Sequence, residues 1–218
     1  MSASSRLRLG VLISGGGSNM QAIARACRED RIHADICVVI SDRDDARGVS
    51  AARELGLAAE VIPYKSFADR ATFERALAGV LEAHHAEIIV LAGFMRILSP
   101  EFAVAFAGRL INIHPALLPK YRGLHTHRRC LEAGDAEHGA SVHFATAELD
   151  GGPVILQSKI EVHPGESEKD LAARVLVTEH IILPRVLGWL AEGRLVWRDG
   201  RGWLDGTPLD APVVELFN

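Results

Sequence analysis

Three polar side chains carry the reactive possibilities of this sequence: Asn112 and His114 in Leu110-Ile-Asn-Ile-His-Pro115, and Asp150 in Leu149-Asp-Gly-Gly-Pro153. A carboxamide and a charged imidazole can donate to a developing oxyanion, and a carboxylate can orient the imidazole and favour its charge, so the set suits acyl transfer. Polar and apolar residues alternate from Ile111 to His114, and a strand here puts Asn112 and His114 on one face. Pro115 has no N–H to donate and biases His114 toward an extended backbone. The strand is therefore expected to stop there, and ligand sites of parallel sheets lie at such C-terminal ends. Taken alone, a histidine before a proline is more often a capping or hydrogen-bonded surface group than a functional one, so the surrounding sequence has to decide.

A second candidate is the turn Ser14-Gly-Gly-Gly-Ser-Asn19, which follows an apolar segment and precedes the amphipathic stretch Met20–Cys27. Such a turn brings backbone N–H groups and a helix N-terminus around a phosphate. No Gly-Lys-Ser/Thr follows it, which excludes a Walker loop, and the third glycine of a dinucleotide fingerprint would fall at Met20. A simple monophosphate at Gly17, Ser18 and Asn19 fits better, with Ser18 or Asn19 as a compatible helix N-cap.

The elements that must position these groups follow from periodicity. Apolar runs rich in β-branched residues alternate with amphipathic stretches through the first half, the pattern of βαβ units and a parallel sheet. Strands are expected near 7–13, 35–41, 58–62, 87–92 and 109–114, and helices near 18–30, 46–55, 67–84, 100–106 and 124–133. The segments 139–145 and 154–162 alternate as strands and are expected to form a hairpin across Glu148–Gly152. Ser167-Glu-Lys-Asp170 resembles a capping box and opens a long helix toward Leu190, which Pro184 is expected to kink or end. Trp197 and Trp203 flank a small terminal hairpin, and 211–218 is expected to be loose.

The totals bound the class of protein. With 218 residues and 48% hydrophobic content, one α/β domain can bury a sizeable core. The 24 basic and 28 acidic residues leave a net charge of −4, so no whole-molecule attraction to nucleic acid is expected. Cys27, Cys37 and Cys130 are odd in number and lack a C-x-x-C spacing, which argues against a disulfide framework. His125-x-His127 has no matched third ligand, so no metal is expected. No apolar run reaches the ~18 residues of a membrane span and no leader is visible, so the expected location is cytoplasmic.

Taken together, Leu91-Ala-Gly-Phe-Met-Arg-Ile-Leu-Ser-Pro100, Ile111-Asn-Ile-His-Pro115, Leu117-Leu-Pro119, Gly123, His125-Thr-His127 and Leu149-Asp-Gly-Gly-Pro153 resemble the folate-dependent formyltransferases. With Gly15-Gly-Gly-Ser-Asn19 in front, the likeness is greatest to the branch that formylates glycinamide ribonucleotide in purine synthesis. It spans about residues 8 to 205, with the motifs in order. Gly16 and Arg122 depart from the family pattern, and neither removes a side chain the chemistry needs.

The resemblance implies an α/β formyltransferase fold: a mostly parallel twisted sheet flanked by helices, with a Rossmann-like N-terminal half and an antiparallel hairpin in the C-terminal half. One domain over 1–218 is expected, with a nucleotide-binding half at about 7–106 and a catalytic, folate-binding half at about 107–205. Asn112, His114 and Asp150 would be the catalytic trio, with 10-formyltetrahydrofolate as cosubstrate and no metal. Gly17, Ser18, Asn19 and Glu179 would hold the ribonucleotide. Met95, Arg96, Ile97 and Leu98, with Asn112, would hold the folate; Arg70 would be a further folate contact, the ribonucleotide being its alternative. The partners implied are these small molecules, with no nucleic acid or membrane, on a monomer or homodimer.

Three rivals are distinguishable. An initiator-tRNA formyltransferase would be expected to carry a further C-terminal domain and a basic surface. A formyltetrahydrofolate hydrolase would be expected to carry an extra N-terminal domain. A binding protein could retain the scaffold without turnover, because fold does not fix function.

Overall fold

The computed structural model describes residues 6–218; the polar lead-in 1–5, read above as lacking a leader, lies outside the described residues. Its first half alternates β1 (Leu7–Ile13), α1 (Ser18–Arg28), β2 (Ala34–Ser41), α2 (Arg47–Glu54), β3 (Ala59–Val61), α3 (Arg70–Ala83), β4 (Ile88–Leu91), α4 (Pro100–Ala105) and β5 (Leu110–His114). The second half adds α5 (Thr126–Ala133), β6 (Glu137–Phe144), β7 (Val154–Glu161), α6 (Glu168–Ala191), β8 (Leu195–Arg198), β9 (Arg201–Leu204), β10 (Thr207–Pro208) and β11 (Val213–Leu216).

The eight-stranded main sheet has the order β11-β7-β6-β5-β4-β1-β2-β3. Strands β3, β2, β1, β4 and β5 pair in parallel, and β5, β6 and β7 pair antiparallel. Chain order reverses between β1 and β4, which puts a crevice at their C-terminal ends, the usual place for a ligand in such sheets. The β1 strand shows why the sheet needs helices on both faces. Leu9, Val11 and Ile13 pack on one side with Met20, Ile23 and Val49, while Leu12 packs on the other with Phe73, Leu77 and Leu81. A near-continuous apolar run is the mark of a strand covered twice.

Several sequence expectations are corrected. The tail is not loose: β11 adds a parallel edge strand to β7, pairing Val213 with Leu156 and Leu216 with Lys159. Its four residues are too short a signal in isolation, and an open strand edge far away in sequence supplies the hydrogen bonds. The long helix toward Leu190 forms as read, and of the two alternatives at Pro184 an end is excluded, because α6 continues to Ala191. A mid-helix proline costs about 3 kcal/mol, but Ile182, Leu183, Val186 and Leu187 on both sides of it are fully buried, each worth roughly 1.5–3 kcal/mol.

At the start of α6, Ser167 does cap, accepting the Asp170 N–H at 3.2 Å, but the Asp170 carboxylate accepts from the Ser167 hydroxyl at 2.6 Å. Aspartate is one methylene shorter than the glutamate of a full capping box. A complete box instead opens α3, where Asp69 accepts the Thr72 N–H at 2.8 Å, three residues later than the expected helix start. The hairpin of β8 and β9 forms as read, with Trp197 opposite Gly202.

Candidate active site

Three consecutive parallel strands deliver the site: β1 ends in the glycine turn, β4 ends in Ala92–Leu98, and β5 ends at His114. Leu91, the last residue of β4, lies beside Asn112, so β5 projects beyond its neighbour and holds His114 past the sheet edge. The loop between β6 and β7 returns over this edge and brings Asp150 down onto both side chains. Asp150 has φ 47°, a left-handed conformation that aspartate tolerates better than most residues, and two glycines follow it.

The three groups of the predicted trio meet. Asp150 Oδ2 is 3.4 Å from His114 Nδ1 and accepts the Gly123 N–H at 2.9 Å, while Oδ1 accepts from Asn112 Nδ2 at 3.4 Å. On the far side of the ring, His114 Nε2 donates to the Tyr121 carbonyl at 2.9 Å. The neutral ring thus carries its proton on Nε2 and turns the Nδ1 lone pair toward Asp150; only the imidazolium satisfies both oxygens. Burial holds His114 below its ordinary range, against the opposing pull of the Tyr121 carbonyl and the Asp150 carboxylate. Burial raises Asp150, but its contacts with His143, the Gly123 amide and His114 outweigh that and hold it below the usual carboxylate range.

A fourth group, which sequence reasoning missed, is His143. It stands directly across the β5–β6 ladder from Asn112 and is 1% exposed. Its Nδ1 faces the Phe144 carbonyl at 3.0 Å and therefore carries a proton, leaving Nε2 as an acceptor 3.0 Å from Asn112 Nδ2. That contact fixes which way the Asn112 amide points. The signal in the sequence was the alternation of β6 and the antiparallel hairpin, but register against β5 cannot be read from either strand alone.

Beside the trio, a cleft is lined by Phe94, Ile97 and Leu98 on one wall, Thr146 to Asp150 on the other, and Leu110, Asn112 and His143 at its floor. It is continuous in sequence with a second hollow in which Arg70, Met95, Arg96, Ile97 and Leu98 come together with Tyr64. Arg70 is the first residue of α3, so the structure places it with the expected folate wall. Lys120 and Arg122 on the neighbouring loop are engaged by Asp135 and Glu148.

The glycine turn differs from expectation in its cap. Gly17, not Ser18 or Asn19, is the N-cap of α1, at φ 71°, and no side chain caps the helix. A Cβ on Gly17 would lie 3.1 Å from the Gly48 backbone, so both conformation and crowding require glycine. Ser18 and Asn19 open the helix, whose first N–H groups have no partner within the helix and no side-chain cap. Asn19 is buried, and its Nδ2 donates at 2.6 Å to Glu179 from the middle of α6. Glu179, on which burial acts most strongly, is pushed up to about 7, with the Asn19 hydrogen bond opposing. The structure therefore joins Glu179 to the residue that follows Ser18 at the glycine turn.

A profile of the formyl transferase family matches residues 7–187. The chain belongs to the formyl transferase family. This formyltransferase is 52% identical over 199 residues to the phosphoribosylglycinamide formyltransferase of Escherichia coli strain K12, covering 91% of this chain and 94% of that one. It is 40% identical over 188 residues to the human trifunctional purine biosynthetic protein adenosine-3, matching 86% of this chain but 19% of that longer protein. Among solved structures, the phosphoribosylglycinamide formyltransferase of Coxiella burnetii superposes with a TM-score of 0.92 at 44% identity, over 95% of this chain and 98% of that one. Glycinamide ribonucleotide transformylase 1 of Symbiobacterium toebii gives 0.89 at 43% identity, over 93% and 95%.

Among the described residues, no group of three or more histidine, cysteine or acidic side chains is placed to hold a metal ion. His127 instead meets His138 at 3.1 Å, and His125 is the αL cap of α5. Among the described residues, no helix is long and apolar enough to cross a membrane.

Proposed function

We propose that this formyltransferase moves the formyl group of 10-formyltetrahydrofolate to the primary amine of 5′-phosphoribosylglycinamide, a step of purine synthesis. The observation that carries the reading is the meeting of Asn112, His114 and Asp150 at the lip of a cleft walled by the 94–98 and 146–150 segments. The amine lone pair attacks the formyl carbon, and the carbonyl electron pair moves to oxygen. When the tetrahedral intermediate collapses, the carbonyl re-forms and the bond to the folate nitrogen breaks. One proton leaves the amine and one reaches that nitrogen, which gives the formamide and tetrahydrofolate.

Each side chain has a part in this balance. The long 3.4 Å contact between Asn112 Nδ2 and Asp150 leaves that N–H free to turn to a nearer oxyanion, while His143 holds the amide in place. His114 supplies the second donor when Nδ1 is protonated, and Asp150 beside it stabilises that charge. Because Nε2 is engaged by Tyr121, Nδ1 is the atom that takes up and releases the proton. Arg70 and the 95–98 segment bind the folate, while Gly17, Ser18, Asn19 and Glu179 bind the phosphorylated acceptor. No covalent enzyme intermediate is required, since direct attack needs no nucleophile from the chain.

The test is a spectroscopic assay of tetrahydrofolate release with and without glycinamide ribonucleotide. Release that requires the ribonucleotide is expected. Equal release in its absence would make the chain a hydrolase, and no release with both substrates would leave a binding protein.

A further inference from the structure

A buried carboxylate that the mechanism does not use joins the two substrate regions. Asp42 follows the last residue of β2, and its side chain is 1% exposed. Its Oδ1 accepts from the Ser14 hydroxyl at 2.5 Å, and its Oδ2 accepts from Arg96 Nε at 2.7 Å. Ser14 is the first residue of the glycine turn, and its oxygen in turn accepts the Met95 backbone N–H at 2.8 Å. A backbone bond from Ser14 N to the Gly93 carbonyl, 3.1 Å, runs parallel to this link. Arg96 is held on a third side by the Tyr64 ring, 4.2 Å from its guanidinium carbon. Among the described residues, its terminal nitrogens have no hydrogen-bond partner, and Arg96 is one of the residues lining the hollow shared with Arg70.

From this geometry we propose that Asp42 is a positioning residue that couples the two substrates, so that each binds more tightly when the other is present. The proposal rests on the assignment of the glycine turn to the phosphorylated acceptor and of the 95–98 segment to the folate. The physical reason is that one rigid carboxylate accepts from both loops. An anion that orders the glycine turn fixes the Ser14 hydroxyl, which fixes Asp42 and the Met95 amide, and through them the Arg96 fork. A ligand on the folate side then meets an already ordered wall, and linkage requires the reverse effect to be equal. Aspartate is needed because both contacts are acceptor contacts. An asparagine of the same size has only one oxygen and loses one of the two.

The experiment measures, by calorimetry, the affinity for tetrahydrofolate alone and with saturating glycinamide ribonucleotide, a pair that cannot react because the formyl group is missing. In the wild type, the ribonucleotide should tighten tetrahydrofolate binding at least about fivefold, within the usual range of coupling between sites. In Asp42→Asn and in Ser14→Ala, the coupling factor should fall to about one, whatever happens to the separate affinities. A purely structural role would weaken both ligands and leave their mutual effect unchanged. A wild-type factor near one, or variants that bind both ligands and keep the wild-type factor, would overturn the proposal while leaving the assigned substrates intact. Failure of the wild type to bind either ligand would remove the assigned substrates and this coupling with them.

Discussion

Replacing Glu179 by glutamine should make the protein more stable at pH 8 and leave it nearly unchanged at pH 4. Glu179 is 7% exposed, takes one hydrogen bond from Asn19, and has its pKa pushed from the ordinary 4.5 to about 7, chiefly by burial. The folded state therefore prefers the protonated acid, whereas the unfolded chain ionises near 4.5. Between these values the native state holds the extra proton, so stability falls as pH rises from about 4.5 to about 7, and changes no further above that. At about 1.4 kcal/mol per pH unit, that interval amounts to roughly 3 kcal/mol. Glutamine is neutral throughout and keeps an oxygen for Asn19 Nδ2. Its amide hydrogens can also reach toward Asn19 Oδ1, which is buried without a partner among the described residues. Urea unfolding of wild type and Glu179→Gln should therefore diverge with pH by up to roughly 3 kcal/mol, or about 6–12 °C in Tm for a chain of this size. A difference between the two proteins that stays constant from pH 4 to pH 8 would refute the reasoning, because it would mean that no buried proton is at stake.

Two further outcomes follow from the same structure. Asn112→Ala and His114→Ala should each lower turnover by about 10²–10³, the usual cost of losing an oxyanion donor, and Asp150→Ala should lower it by a similar factor by removing the charge that favours the His114 imidazolium, with circular dichroism unchanged; near-normal turnover of purified His114→Ala would count against its role. His138, lowered to about 4 chiefly by burial with His127 adding to the effect, should remain neutral far below an ordinary imidazole. As its folded pKa is depressed, it contributes stability above about 6.5 that is lost as pH falls toward 4. An NMR titration of its ring protons with a midpoint near 6.5 would contradict that burial.

Much of the site was legible before any coordinates. Alternation in Leu110–His114 placed Asn112 and His114 on one face, and Pro115 marked the strand end, because both rules are local to the backbone. The glycine turn was likewise legible as a strand-to-helix connection, although its cap is Gly17: a positive φ beside the close Gly48 backbone is a packing demand invisible to sequence. The long helix was read from its cap at Ser167 toward Leu190, with Pro184 left as a kink or an end; the helix passes it, since burial on both flanks outweighs the lost hydrogen bond. The last strand was missed because its partner β7 lies more than fifty residues earlier.

The sequence by itself determined the reactive groups, the strands and turns that carry them, and the family motifs that relate them. Those properties depend on residue type and short spacing, which backbone sterics and side-chain periodicity read directly. Only the tertiary structure decided that His143 orients Asn112, that the Tyr121 carbonyl holds His114 Nε2, and that Asp42 ties Ser14 to Arg96. Each of those contacts depends on the register or close approach of separate segments, set by the packing of the whole sheet rather than by any stretch of the chain.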